Sequence, residues 1–340
     1  MKAAVLYGKE QVRVEDIEPL PLKPGEVRIQ IEAALTCGTD LKVFKRGYHA
    51  KMIVPPAVFG HELSGVISEV RNADWCVGDR VVVANSASCG ECFHCRNQQE
   101  NICDNLLFLN GAYAESIVVP APIVQKNLLR LKPETAFRDA ALVEPLACVY
   151  NAFQRIAIVP GDTVLVIGAG PIGLMHAKVA FMAGAAKVYM NDLSTERLSL
   201  CRKVEPAIIA LESAGLKERL AELTGGRGVS VCITAAPSAD AQVLALEVAG
   251  VNGRVMFFGG LPEGKSTVPL DTNLVHYKQI TITGTSRQSL IQYRQTLALV
   301  ASRRLVVKDL VTMSTPLDEI RASFEQVMQG KGLKNVIEFA

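Results

Sequence analysis

The sequence predicts an α/β protein in which a doubly wound parallel sheet accompanies a partly open β-barrel. Three observations carry this. The first 150 residues are short β-like runs broken by Gly and Pro, which is the texture of a small barrel. From about residue 160, near-continuous apolar strands alternate with helical segments, the mark of a parallel sheet covered on both faces. The switch is marked by a glycine-rich turn, Gly168 to Gly173. At about 150 residues per domain, 340 residues make two domains. With 49% hydrophobic and 21% charged residues, the chain is not a disordered or low-complexity one. A net charge of +2 leaves no electrostatic footprint for nucleic acid or an anionic membrane. No apolar run approaches the roughly 18 residues of a membrane helix. The segment MKAAVLYGKEQVRVED has no apolar signal core, so a cytoplasmic enzyme acting on a small molecule is expected.

Taken in order, the barrel strands are expected at VRIQIEAAL (27–35), LSGVISEV (63–70), DRVVVAN (79–85) and AESIVVP (114–120). The stretch 139–158, DAALVEPLACVYNAFQRIAI, has helical periodicity. VLVIG then reads as a buried strand, PIGLMHAKVAFMAGA as helix, KVYMND as strand and STERLSLCRK as helix. The alternation continues through AIIAL, LKERLAELTG, VSVCIT, ADAQVLALEVAG and RVMFFGG. ITITG (280–284) is placed to be the last strand of that sheet. A helix at about 289–302 and an amphipathic helix in LDEIRASFEQVMQG precede the tail LKNVIEFA.

Gly168-Ala169-Gly170-Pro171-Ile172-Gly173 fits G-x-G-x-x-G, with a strand before it and a helix after. In that context it is a dinucleotide fingerprint. The first glycine makes the tight turn, the second admits a pyrophosphate, and the third allows close helix–strand packing. The helix N-terminus offers free N–H groups to the phosphates. Asp192 ends the next strand, 24 positions after Gly168, where it would accept hydrogen bonds from the adenosine ribose. Its carboxylate would repel the 2′-phosphate of NADP, so NAD is expected, although Arg197 five residues on is placed to bind that phosphate.

Nine cysteines, an odd number, do not make a disulfide framework. Cys89, Cys92, Cys95 and Cys103 give C-x2-C-x2-C-x7-C, which suits a closed, structural zinc site in a polar lobe with little core of its own. An iron–sulfur cluster is the competing reading, but the ferredoxin run has its fourth cysteine after three residues, followed by proline. His94 lies in the same loop and is expected to be a solvated bystander. A second set is Cys37 in TCGTD, His61-Glu62 in GHELSGV and Glu144 in VEPL. Thiolate, imidazole and carboxylate with one open position make a catalytic zinc site, which lowers the pKa of a coordinated oxygen towards about 7.

With CGTD, GHELSGVISEV, VGDRV, the four-cysteine lobe, EPLA, GAGPIG and GKGLKNVI in hand, the chain resembles the zinc-dependent medium-chain dehydrogenases, in their polyol (sorbitol/L-iditol) and threonine dehydrogenase group. The resemblance implies a GroES-like catalytic domain built from 1–150 and 287–340, with a Rossmann NAD-binding domain at 151–286 inserted between. It implies an oxidoreductase with two zinc ions per chain that oxidises a secondary hydroxyl of a polyol, sugar alcohol or cyclitol, the alternative being L-threonine 3-dehydrogenase. It makes Cys37, His61 and Glu62 ligands of the catalytic zinc and leaves open whether Glu62 or Glu144 holds the resting position. Thr39 matches the hydroxyl that takes the substrate proton, and Arg287 falls near a substrate-binding arginine. It also implies a homodimer or homotetramer. At Lys42 many relatives carry a histidine that relays the proton, commonly so in threonine dehydrogenases; a lysine is a poor relay at neutral pH. Lys42, Lys45, Arg46 and Lys51 would suit a phosphorylated substrate, against the blander reading of a solvated basic loop. Cys148, Cys201 and Cys232 read as core, and His176 as structural.

Overall fold

The computed structural model describes residues 1–49 and 51–339. The chain forms two compact units, Met1–Pro145 with Gln288–Ala340, and Leu146–Arg287.

In the first unit the strand Val27–Leu35 is the hub of a seven-stranded sheet. Its Val27, Ile29 and Ile31 are buried while Gln30 and Glu32 are exposed, the period-2 alternation of a half-covered strand. It pairs antiparallel with Glu62–Val70, with Ser116–Val119 and with the chain's last strand, Lys334–Glu338. That last strand runs parallel to Val311–Pro316. The carboxyl-terminal segment therefore returns to the same sheet as the first strands. The rings of Phe59, Tyr113 and Phe324 pack edge-on or tilted against one another in the core, with centroids 5.1–5.8 Å apart.

The second unit holds a six-stranded sheet, all parallel, in the order Ile209–Glu212, Lys187–Asp192, Thr163–Ile167, Val229–Thr234, Ala249–Phe257, Thr281–Gly284. In sequence terms that is 3-2-1-4-5-6, whose switch point lies at the end of the Thr163–Ile167 strand. ITITG is indeed the terminal strand.

Local readings needed correction in four places. The 139–158 segment is two helices, Phe137–Ala141 and Val143–Ile156. Lys42, Lys45 and Arg46 do not lie in a loop: Gly38–Arg46 is a helix, capped at Cys37 and stopped by Gly47 in the left-handed region at φ 88°. The tail LKNVIEFA supplies a sheet strand. Cys201 and Cys232 are buried, but Cys148 is only half-buried.

Candidate active site

Cys37 is the N-cap of the Gly38–Arg46 helix. Its thiol accepts the Thr39 N–H at 3.4 Å, and its own N–H donates to Asp40 Oδ2 at 3.2 Å. Glu62 opens the strand Glu62–Val70 and His61 immediately precedes it. They follow Gly60, whose φ of 92° and contact with Tyr113 exclude a side chain: a Cβ there would lie 2.8 Å from the ring. The result is one donor atom each from Cys37, His61 and Glu62, all within 4.8 Å of one another.

Each donor is held from behind. His61 Nδ1 lies 3.1 Å from Asp40 Oδ1, which leaves Nε2 as the outward donor, the usual arrangement for a metal-bound imidazole. Asp40 is fully buried and also accepts the Tyr113 hydroxyl at 2.5 Å. Burial alone would lower the His61 pKa, but the charges of Asp40 and Cys37 raise it well above the ordinary value. Glu62 is fully buried and receives the Lys334 ammonium on both oxygens, at 2.5 and 2.6 Å. Burial pushes its carboxyl up to about 7, with Lys334 pulling the other way. Lys334 also donates to Thr36 O at 2.9 Å.

Glu144 lies in the first turn of the Val143–Ile156 helix and is outside the close donor set. It is near enough that its charge adds to the rise in Glu62, and its Oε1 accepts from Gln288 Nε2 at 3.2 Å. Gln288 also donates to Asn85 Oδ1 at 3.3 Å. Arg287 belongs to the second unit, at φ 58°, with its carbonyl accepting from Asn151 at 2.8 Å.

The four-cysteine lobe passes a geometric test. Metal–sulfur distances of about 2.3 Å in a tetrahedron place the sulfurs about 3.8 Å apart. The Sγ separations Cys89–Cys95, Cys92–Cys95, Cys92–Cys103 and Cys103–Cys89 are 3.9, 3.5, 3.9 and 3.5 Å. His94 turns away, with Nδ1 3.3 Å from Gln99 and Nε2 3.6 Å from Asp104.

In the second unit Gly168 adopts φ 113°, and a Cβ on Gly173 would sit 1.8 Å from Gly168 O, so that helix and turn can close up only on glycine. Gly170 caps the Pro171–Met182 helix with no side chain over its first N–H groups, and Pro171 and Ile172 form its first turn. Asp192 binds the Ala169 N–H at 2.7 Å and the Ser194 N–H at 2.9 Å, which fixes its carboxylate beside the turn. Arg197 lies in the first turn of the following helix, its N–H on Ser194 Oγ at 3.2 Å. A diphosphate fits such a cradle.

Residues 23–128 match the family model of the alcohol dehydrogenase GroES-like domain, and residues 171–302 that of the zinc-binding dehydrogenases. A probable D-xylulose reductase A of Neosartorya fischeri is 31% identical over 98% of this chain and 95% of its own. The chain belongs to the zinc-binding alcohol dehydrogenases. Another relative, an L-threonine 3-dehydrogenase of Pyrococcus horikoshii, is 34% identical over 97% of this chain and 95% of its own. Among solved structures, an alcohol dehydrogenase of Thermus sp. ATN1 superposes with a TM-score of 0.89 at 28% identity, over the whole of both chains. As a zinc-binding dehydrogenase the protein is an oxidoreductase that works with zinc and a nicotinamide dinucleotide. Among the described residues, no helix is long and apolar enough to cross a membrane.

Sequence reasoning missed Asp40, Tyr113, Gln288 and Lys334. Asp40 had a usable signal, an acid at the third helical position after a Cys cap. Lys334 had a fainter one, a lysine opening an apolar run.

Proposed function

We propose that this zinc-binding dehydrogenase oxidises a secondary hydroxyl of a polyol, sugar alcohol or cyclitol to the ketone, reversibly, with NAD. The observation that carries this is the Cys37–His61–Glu62 donor set, three different ligand types converging within 4.8 Å, with His61 held by buried Asp40 and Glu62 by buried Lys334. Zinc held there would supply the Lewis acidity that makes a hydroxyl acidic, and NAD on the Gly168–Gly173 turn would accept the hydride. The protein's own residues do the rest. Asp40 keeps His61 in the tautomer that donates outward through Nε2. Lys334 offsets the buried charge of Glu62, and Gln288 orients Glu144 beside it. Thr39, partly exposed two residues beyond Cys37, would take the substrate proton in this reading. In this reading Cys37, His61 and Glu62 are the resting ligands, with Glu144 held in reserve. Cys89, Cys92, Cys95 and Cys103 hold a second, structural zinc, and the edge strand Thr281–Gly284 joins copies of the chain into a homodimer or homotetramer.

The experiment is NAD reduction measured over sorbitol, xylitol, inositols and L-threonine. Turnover of a polyol or cyclitol with at least tenfold higher kcat/KM than threonine is expected. Preference for threonine would transfer the assignment to L-threonine 3-dehydrogenase, the second reading, which the 34%-identical relative favours and Lys42 disfavours. Asp192 further leads us to expect NAD over NADP by more than about tenfold, or roughly 1.4 kcal/mol. A preference for NADP would mean that Arg197 outweighs the carboxylate.

A further inference from the structure

The Gly38–Arg46 helix has two unlike faces. Asp40, Val43 and Phe44 are buried, whereas Lys42, Lys45 and Arg46 are exposed. At about 100° per residue, Thr39, Lys42 and Arg46 fall within an arc of about 60°. Exposed Lys51 follows just beyond the helix. Among the described residues, none of these four cations has a carboxylate within ion-pair distance. Even Glu10, whose N–H donates to Phe44 O at 2.8 Å, pairs with none of them. The helix dipole favours Lys45 and Arg46 in the last turn, but it gives no reason for Lys42 in the middle. Like charges at i,i+3 and i,i+4 repel on a helix, and an anion between them removes that repulsion.

The helix also fixes a distance from the chemistry. At about 1.5 Å per residue, Lys42 lies about 4.5 Å and Arg46 about 10.5 Å along the axis from Thr39. Thr39 in turn follows the Cys37 cap. A hydroxyl at the Cys37 end and an anionic group one to two turns away would be met by one helix. We propose that the substrate is a phosphate monoester of a sugar alcohol, its phosphate received by Lys42 and Arg46. Arginine suits a two-pronged contact with phosphate oxygens, and lysine a point-charge contact. The proposal rests on the polyol-oxidation reading and narrows its substrate class.

The test compares sorbitol, sorbitol 6-phosphate and gluconate as substrates with NAD, in the wild type and in Lys42→Gln/Arg46→Gln. The phosphate ester should exceed sorbitol at least 100-fold in kcat/KM, mainly through KM, and its KM should rise with added NaCl. In the double variant the phosphate-to-neutral ratio of kcat/KM should fall at least tenfold. Inorganic phosphate should inhibit the wild type competitively against sorbitol, and the variant less. Equal use of sorbitol and its phosphate, or a ratio unmoved by the double substitution, overturns this proposal and leaves polyol oxidation standing. A preference for gluconate overturns it in favour of a carboxylate. No turnover of any of the three overturns this proposal, while turnover of xylitol or an inositol in the wider panel keeps the oxidation reading standing.

Discussion

Lys334 and Glu62 form a buried ion pair in which each group is tolerable only because of the other. Removing one partner of such a pair costs about 3–5 kcal/mol. Lys334→Met should therefore lower the stability of chelator-stripped protein by about that much, read from the urea midpoint, and adding Glu62→Gln should restore most of it. Equal stability of single and double variants would refute the coupling. His176 makes a second prediction. It is buried edge-on to Phe258, with centroids 4.6 Å apart, and Nε2 has no partner among the described residues. Burial lowers its pKa to about 3, below the ordinary 6.5 of the unfolded chain. The fold thus favours the neutral ring. Its contribution is complete above pH 6.5 and is lost as pH falls from there towards 3. Between pH 7 and pH 5 that loss is about 2 kcal/mol. His176→Leu should lose less stability than the wild type over that interval; parallel losses would exclude His176 as the source. The sequence marks His176 as structural but shows neither the depth of its burial nor the pairing of Lys334 with Glu62. Lys334 lies 272 residues from Glu62, and nothing local says that a tail lysine will meet a strand glutamate.

At the scale of elements, the glycine turn gives the sharpest prediction. Alanine in place of Gly173 should aid a helix by about 1 kcal/mol on propensity alone. Here its Cβ would sit 1.8 Å from Gly168 O, so the turn must open. NADH titration by fluorescence should show at least tenfold weaker binding in Gly173→Ala; unchanged affinity would mean that the cradle is not there. The six alternating strands were readable because apolar and β-branched residues dominate them and helical segments alternate with them. The Gly38–Arg46 helix was not. Its apolar residues are few, buried Val43 and Phe44 with half-buried Leu41, and its cap is a cysteine rather than Ser, Thr, Asp or Asn. The candidate ligands Cys37, His61 and Glu62 stood out by residue type and order, whereas the Asp40–Tyr113 support needed the helix to be seen first.

For the molecule as a whole, the two donor sets predict about two zinc equivalents per chain by elemental analysis. Cys37→Ser should lose one equivalent and all turnover while keeping the fold. Cys92→Ser should lose the other and lower the Tm. One equivalent or fewer in the wild type after zinc-replete expression, or iron in its place, would contradict the two-site reading. The sheet edge makes the other prediction. Among the described residues, Thr281–Gly284 pairs only with Ala249–Phe257, which leaves its outer side for a second copy. Light scattering should give at least twice 36.7 kDa, and Ile282→Pro should halve it. A monodisperse monomer at micromolar concentration would rule out edge pairing.

The return of the last strand to the first sheet also sets a timetable. Glu62 leaves the ribosome 272 residues before Lys334 does. At roughly 5–20 residues per second, that is a wait of tens of seconds. For most of it the nascent first unit lacks two strands of its sheet, Val311–Pro316 and Lys334–Glu338, and throughout it lacks the cation that makes a buried glutamate bearable. The Leu146–Arg287 unit, contiguous in sequence, is complete before then. The Leu146–Arg287 unit is therefore made whole before the first unit, which can close its sheet only once Lys334–Glu338 has emerged.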